Sequence, residues 1–111
     1  MNKYRNHRTV VGSLKFDSKR EANRWGELLL LQRAGEIKDL ARQVVLPIDI
    51  RGEHICNYIA DFQYYEKTKN WPHPGEAWTL VVEDSKGVKT RDYVLKRKLV
   101  KAIYGIKILE T

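Results

Sequence analysis

From Gln43 to Asp84 the chain reads as three extended segments separated by residues that suit turns rather than ladders. Gln43 to Ile50 alternates and is rich in Val and Ile, Arg51-Gly52 supplies a turn, and Ile55 to Tyr65 continues as a second β-rich run. Lys67 to Ala77 contains Asn70-Trp71-Pro72-His73-Pro74-Gly75; prolines remove ladder donors, so this stretch is a loop. Trp78 to Asp84 is then a third strand. Upstream, Ser18-Lys19-Arg20-Glu21 reads as a capping box with Asp17 or Ser18 at the N-cap. Ala22, Trp25, Leu28, Leu29 and Gln32 follow at helical spacing up to Gly35, which predicts a helix over about residues 18–34. Downstream, Asp92 to Tyr104 predicts a second helix stopped by Gly105, with Tyr93, Leu95, Leu99, Ala102 and Ile103 as its core face, and Ile106 to Leu109 a closing strand. The order α-β-β-β-α-β implies one α/β domain, residues 1–111, with a small mixed sheet flanked by helices and a basic arm at residues 1–12 that is flexible or a short strand.

Two of the predicted strands carry acids where strands ordinarily do not. Asp61 interrupts the apolar run Tyr58-Ile59-Ala60-Asp61-Phe62, and an isolated acid in such a run is costly to bury without a partner. The third strand ends Val81-Val82-Glu83-Asp84-Ser85-Lys86-Gly87. Side chains alternate along a strand, so Asp84 and Lys86 share a face and Glu83 points away; a bulge at Glu83 would reverse that choice. A carboxylate and an ammonium side by side, with Asp61 from a neighbouring strand, make the constellation that metal-assisted phosphodiester hydrolysis requires. The other reading of each acid is a structural ion pair, with Asp84 and Lys86 forming a weak surface bridge. Glu21 has two readings of equal weight on its residues alone, a helix cap or a member of the acidic cluster. Gln43, at a strand start, reads equally as support for that cluster or as an ordinary hydrogen-bonding residue.

Charge placement points the same way. The net charge of +7 is confined to residues 86–107, which hold eight Lys and Arg against the single acid Asp92; the remainder is balanced. A basic segment beginning at the candidate lysine is a phosphate-binding footprint, with Lys89, Arg91, Lys96, Arg97 and Lys98 on one side and Lys19, Arg20 and Arg24 beside Glu21 on the other. Trp71, Trp78, Tyr64 and Tyr65 are candidates for stacking on unpaired bases, or for core and interface packing. Cys56 is the only cysteine, which excludes an internal disulfide and a cysteine-cluster zinc site. His7, His54 and His73 have no metal-ligand spacing. Met1 to Arg8 is polar and basic, unlike a secretory signal, and Leu28 to Leu31 is too short to span a bilayer, so a cytoplasmic protein without a membrane partner is expected.

The element order, with Glu21, Asp61 and Asp84-Ser85-Lys86 placed as above, resembles the PD-(D/E)XK nuclease superfamily. Lys15-Phe16-Asp17-Ser18-Lys19 with Glu21-Ala22, Ile59-Ala60-Asp61-Phe62, Val82-Glu83-Asp84-Ser85-Lys86-Gly87 and the ending Tyr104-Gly105-Ile106-Lys107-Ile108-Leu109 are similar to a group of short phage proteins that look like Holliday-junction resolvases. Ala60 stands where the superfamily pattern has proline. The resemblance implies a restriction-endonuclease-like core. It also implies Mg²⁺ (Mn²⁺ substituting) held by Asp61, Asp84 and Glu21, with Lys86 as the catalytic lysine. A homodimer cutting four-way DNA junctions to leave 5′-phosphate and 3′-hydroxyl ends, in a phage or prophage setting, completes the expectation. Rival readings are a nuclease of the same fold acting on other DNA (a nickase or restriction-like enzyme), a non-catalytic DNA-binding protein, and an RNA-binding module.

Overall fold

The computed structural model describes residues 9–11 and 14–111; most of the expected basic arm, His7 included, lies outside the described residues. The elements are β1 (Thr9–Val11), β2 (Leu14–Phe16), α1 (Lys19–Arg33), β3 (Ile37–Ile50), β4 (Glu53–Lys67), β5 (Trp78–Asp84), α2 (Arg91–Tyr104) and β6 (Leu109–Glu110). β1 and β2 pair antiparallel, each strand being three residues long; β1 falls within the arm expected to be flexible or a short strand, whereas the pattern predicts no strand at β2. The main sheet has the order β3-β4-β5-β6; β3, β4 and β5 are mutually antiparallel and β6 runs parallel to β5, so the sheet is mixed. Among the described residues no helix is long and apolar enough to cross a membrane.

Local chemistry explains most boundaries. Ser18 caps α1, its hydroxyl accepting from the Glu21 amide at 3.1 Å. Gly35, at φ 80°, ends the helix with paired bonds from its own amide to the Gln32 carbonyl and from the Glu36 amide to the Leu31 carbonyl. The β3–β4 hairpin closes through Arg51 and Gly52, both at positive φ (53° and 81°), the geometry a two-residue turn needs to match strand twist. α2 is capped by the Thr90 hydroxyl and ends at Gly105.

Three expectations need correction. β3 begins at Ile37, six residues before Gln43. A bulge at Asp39 (φ 55°), between the pairs Lys38–Tyr65 and Ala41–Gln63, breaks the two-residue period that would have revealed the earlier part. The closing strand is only Leu109–Glu110; Ile108 is buried and Ile106 packs beside it, in the core rather than in the ladder. On α2 the inward residues are Tyr93 and Val100, with Val94 and Leu99 against them, while Leu95, Ala102 and Ile103 face out.

The core has two parts. Tyr93 and Val100 of α2 pack with Ile48, Tyr58, Ala60, Val82 and Ile108. Leu28 of α1 packs with Ile37, Phe62 and Tyr64, with Trp25 stacked on Phe62. Between them β4 and β5 stop pairing at Phe62–Glu83, and the chain's buried acids gather at that point.

Candidate active site

Ladder pairing between β4 and β5 ends one residue short of Asp61 and Asp84, which leaves amides at the divergence in need of acceptors. The two aspartates supply them reciprocally: the Asp61 amide donates to Asp84 Oδ1 at 3.2 Å, and the Ser85 amide donates to Asp61 Oδ2 at 2.8 Å. Lys86 Nζ lies 3.5 Å from Asp84 Oδ1 and 5.7 Å above the Tyr93 ring. Asp84 is fully buried, and its Oδ2 has no hydrogen-bond partner among the described residues. Burial holds the carboxyls of both aspartates above their ordinary range, opposed chiefly by the Ser85 amide at Asp61 and by the Lys86 ammonium at Asp84.

The adjacent Glu83 turns the opposite way, as strand alternation requires. Arg24 of α1 grips it with two bonds, Nε to Oε1 at 2.8 Å and Nη2 to Oε2 at 2.9 Å, and the Tyr64 hydroxyl donates to Oε2. Glu83 therefore belongs to a buried ion pair behind α1, and Asp84 is the acid that shares a face with Asp61 and Lys86.

Glu21 stands on the first turn of α1, 2 % exposed. Its amide is capped by Ser18, yet its carboxylate is directed away from the cap: Gln43 Nε2 donates to Oε1 at 3.2 Å and Arg42 Nη2 lies 3.8 Å away. Burial, then the negative charges of Asp61 and Asp17, push its pKa up to about 7. Gln43 adopts φ 50° between the pairs Arg42–Phe62 and Val44–Ala60, opposite Asp61. A non-glycine residue in the left-handed region inside a ladder is strained, and here the strained residue is the one holding Glu21. Arg42 lies against the rings of Phe16 (4.2 Å) and Trp25 (5.6 Å) and donates to the Lys15 carbonyl at 2.9 Å. No sequence signal pointed to Arg42, since its neighbours come from β2 and α1.

Of these groups Glu21, Asp61 and Lys86 border an open cavity of about 600 Å³, whose walls also include the α1 cap Ser18, Arg20 of α1, the α2 cap Thr90 and Lys96 of α2; the fully buried Asp84 is not among its wall residues. Tyr58 and Tyr93 also line it, and neither hydroxyl has a partner among the described residues. Among the described residues no three of the Asp, Glu, His and Cys side chains stand close enough together to hold a metal ion between them.

The basic residues divide. Arg20 lines the cavity and donates to the Lys86 carbonyl at 3.3 Å; Lys96 lines it while pairing with Asp92 at 3.2 Å. Arg24 is committed to Glu83 and Glu27, which removes it from the phosphate-facing set. Lys89 and Arg97 both pair with Glu110. Lys19, Arg91 and Lys98 are exposed. Of the aromatics, Tyr64 is core, Lys38 covers the Trp78 ring at 4.6 Å, and Trp71 is exposed.

A family model described as "Protein of unknown function (DUF1064)" matches residues 1–108. No curated protein and no solved structure matches the chain.

Proposed function

The chain belongs to the DUF1064 family, and we propose that it is a magnesium-dependent DNA endonuclease whose substrate is a four-way junction. One observation carries the reading: two buried aspartates bonded to each other's strand ends, Asp84 with an unpartnered oxygen and Lys86 beside it, Asp61 and Lys86 lying on the wall of a cavity. Burying acids with so little compensation destabilises a fold, and a divalent cation is the partner that offsets it. The donors are hard carboxylate oxygens, which suit Mg²⁺ or Mn²⁺. Mg²⁺ is commonly held by one or two carboxylates with water completing the shell, so a three-acid cage is not required. Asp61 and Asp84 would hold the ion; Glu21 lines the same cavity but does not join them in a three-acid group. When bound, such an ion lowers the pKa of a water and neutralises charge on the scissile phosphate.

The remaining residues have distinct work. Lys86 presents its ammonium beside Asp84, where it can donate to an attacking water or to a phosphoryl oxygen as charge develops. Arg20 and Lys96 are placed to receive phosphates flanking the cut. Gln43 fixes the direction of the Glu21 carboxylate. The N-termini of α1 and α2 both open on the cavity through Ser18 and Thr90, which adds positive potential where phosphate would lie. The junction as substrate rests on the resemblance of the Lys15–Ala22, Ile59–Phe62 and Val82–Gly87 motifs; paired cuts across a branch need two sites, hence a two-fold dimer.

The test is cleavage of a labelled immobile four-way junction with Mg²⁺, beside linear and flap DNA and an Asp84→Asn control. Paired cuts near the branch that vanish in Asp84→Asn are expected. Cleavage retained by that variant would remove the site assignment. Tight binding without cleavage in Mg²⁺ or Mn²⁺ would leave a non-catalytic DNA-binding protein.

A further inference from the structure

Beyond the cavity of the acids, α2 and the chain that follows it build a second concavity of about 300 Å³ lined by Arg97, Lys98, Lys101, Lys107, Ile108 and Glu110. Its one carboxylate is already engaged by Arg97 and Lys89. Lys98, Lys101 and Lys107 have no acidic partner among the described residues. Lys98 and Lys101 are three residues apart on one helix face, a like-charge spacing that weakens a helix slightly. Lys107 joins them because Gly105, at φ 70°, turns the chain back at the end of α2 while Ile108 is buried. Lys101, in the last turn of α2, is favoured by the helix dipole, whereas Lys98 and Lys107 gain no ion pair among the described residues.

We propose that Lys98, Lys101 and Lys107 form a second contact for the DNA backbone, separate from the cleavage site and reached along α2. This rests on the endonuclease reading and extends it. A helix rises about 1.5 Å per residue, so Lys101 lies about 16 Å beyond the Thr90 cap at the cavity mouth. Duplex DNA advances about 3.4 Å per nucleotide, which places the contact about five nucleotides from the scissile phosphate. Between them on α2, Lys96 lines the first cavity while paired with Asp92, and Arg97 lines the second while paired with Glu110.

The experiment measures binding of a labelled four-way junction by the full chain and by K101Q/K107Q, in Ca²⁺ so that cutting is suppressed, from about 50 to about 200 mM salt. Each lost phosphate contact lowers the slope of log K against log salt by about 0.9, so the double variant should lose about 1.8 and bind roughly ten- to a hundredfold more weakly. K101R/K107R should restore both, and circular dichroism should show all three proteins folded. Equal slope and affinity in wild type and K101Q/K107Q overturn this contact and leave the endonuclease reading standing. Weakened binding by K101Q/K107Q, with a wild type that cuts no junction when Mg²⁺ or Mn²⁺ replaces Ca²⁺, keeps the contact and removes the nuclease. A wild type that binds no DNA overturns both.

Discussion

Replacing Arg24 by leucine should destabilise the fold rather than weaken a surface contact. Glu83 is fully buried and depends on Arg24 for two charge-assisted bonds, at 2.8 and 2.9 Å, with the Tyr64 hydroxyl as its other partner. Removing one member of a buried pair leaves an uncompensated charge, which costs about 3–5 kcal/mol. Arg24 itself is 22 % exposed, so some water reaches the gap and the lower end of that range applies. For a domain of this size about 3 kcal/mol corresponds to roughly 13 °C in melting temperature, or to a urea midpoint lower by about 2 M. The assay is urea unfolding of Arg24→Leu, Glu83→Leu, the double variant, and a triple variant that adds Tyr64→Phe. Apolar replacement of the whole group removes the buried charge together with its partners, so the triple variant should recover most of the loss. If Arg24 instead grips phosphate, Arg24→Leu keeps wild-type stability and only flattens the salt dependence of DNA binding. That result would refute the ion-pair reasoning and restore Arg24 to the DNA-facing set.

Other outcomes follow from the acids and the strained positions. Glu21 at about 7, and Asp61 and Asp84 also shifted upward, mean that the folded chain binds protons more tightly than the unfolded one. Ion-free stability should therefore rise as pH falls through about 7 toward the ordinary Glu value of 4.5, where the gain is complete for Glu21; a urea midpoint flat over that window would contradict it. Mg²⁺ should raise the melting temperature more at pH about 8 than at about 5, because protons compete for the same oxygens. Gln43→Gly should relieve the left-handed strain and stabilise by about 1 kcal/mol, while losing the bond to Glu21 and slowing cleavage; unfolding and cleavage measured on one preparation separate the two effects. Thr90→Ala should cost about 1 kcal/mol by leaving the Tyr93 amide uncapped, read from the same unfolding curves.

Much of the layout was legible because local rules act within a few residues. Ser18, Gly35, Arg51-Gly52 and Gly105 each mark a boundary by their own backbone or side-chain chemistry, and β5 runs over the Trp78–Asp84 span that its β-rich composition predicts, whereas a helix read from Asp92 misses the Thr90 cap of α2. Where the period is interrupted, as at Asp39, or a strand has only three residues, as in β2, the pattern is too short to read, and for the two-residue β6 it predicts a closing strand but not its bounds. Strand alternation in the sequence also favoured Asp84 over Glu83 as the acid sharing a face with Lys86, a choice that a bulge would have reversed and that the regular Phe62–Glu83 pairing leaves standing. What each acid meets was decided by tertiary structure. Arg24 looked like one more surface cation until α1 packed against β5 and gave it Glu83; Arg42 and Gln43 acquired Glu21 only when β3 came beside α1. The meeting of Asp61 with Asp84, 23 residues apart, depends on where the β4–β5 ladder ends. Spacing along a chain reports which side chains point the same way, whereas burial and charge pairing depend on which elements arrive from elsewhere, and that is settled by packing.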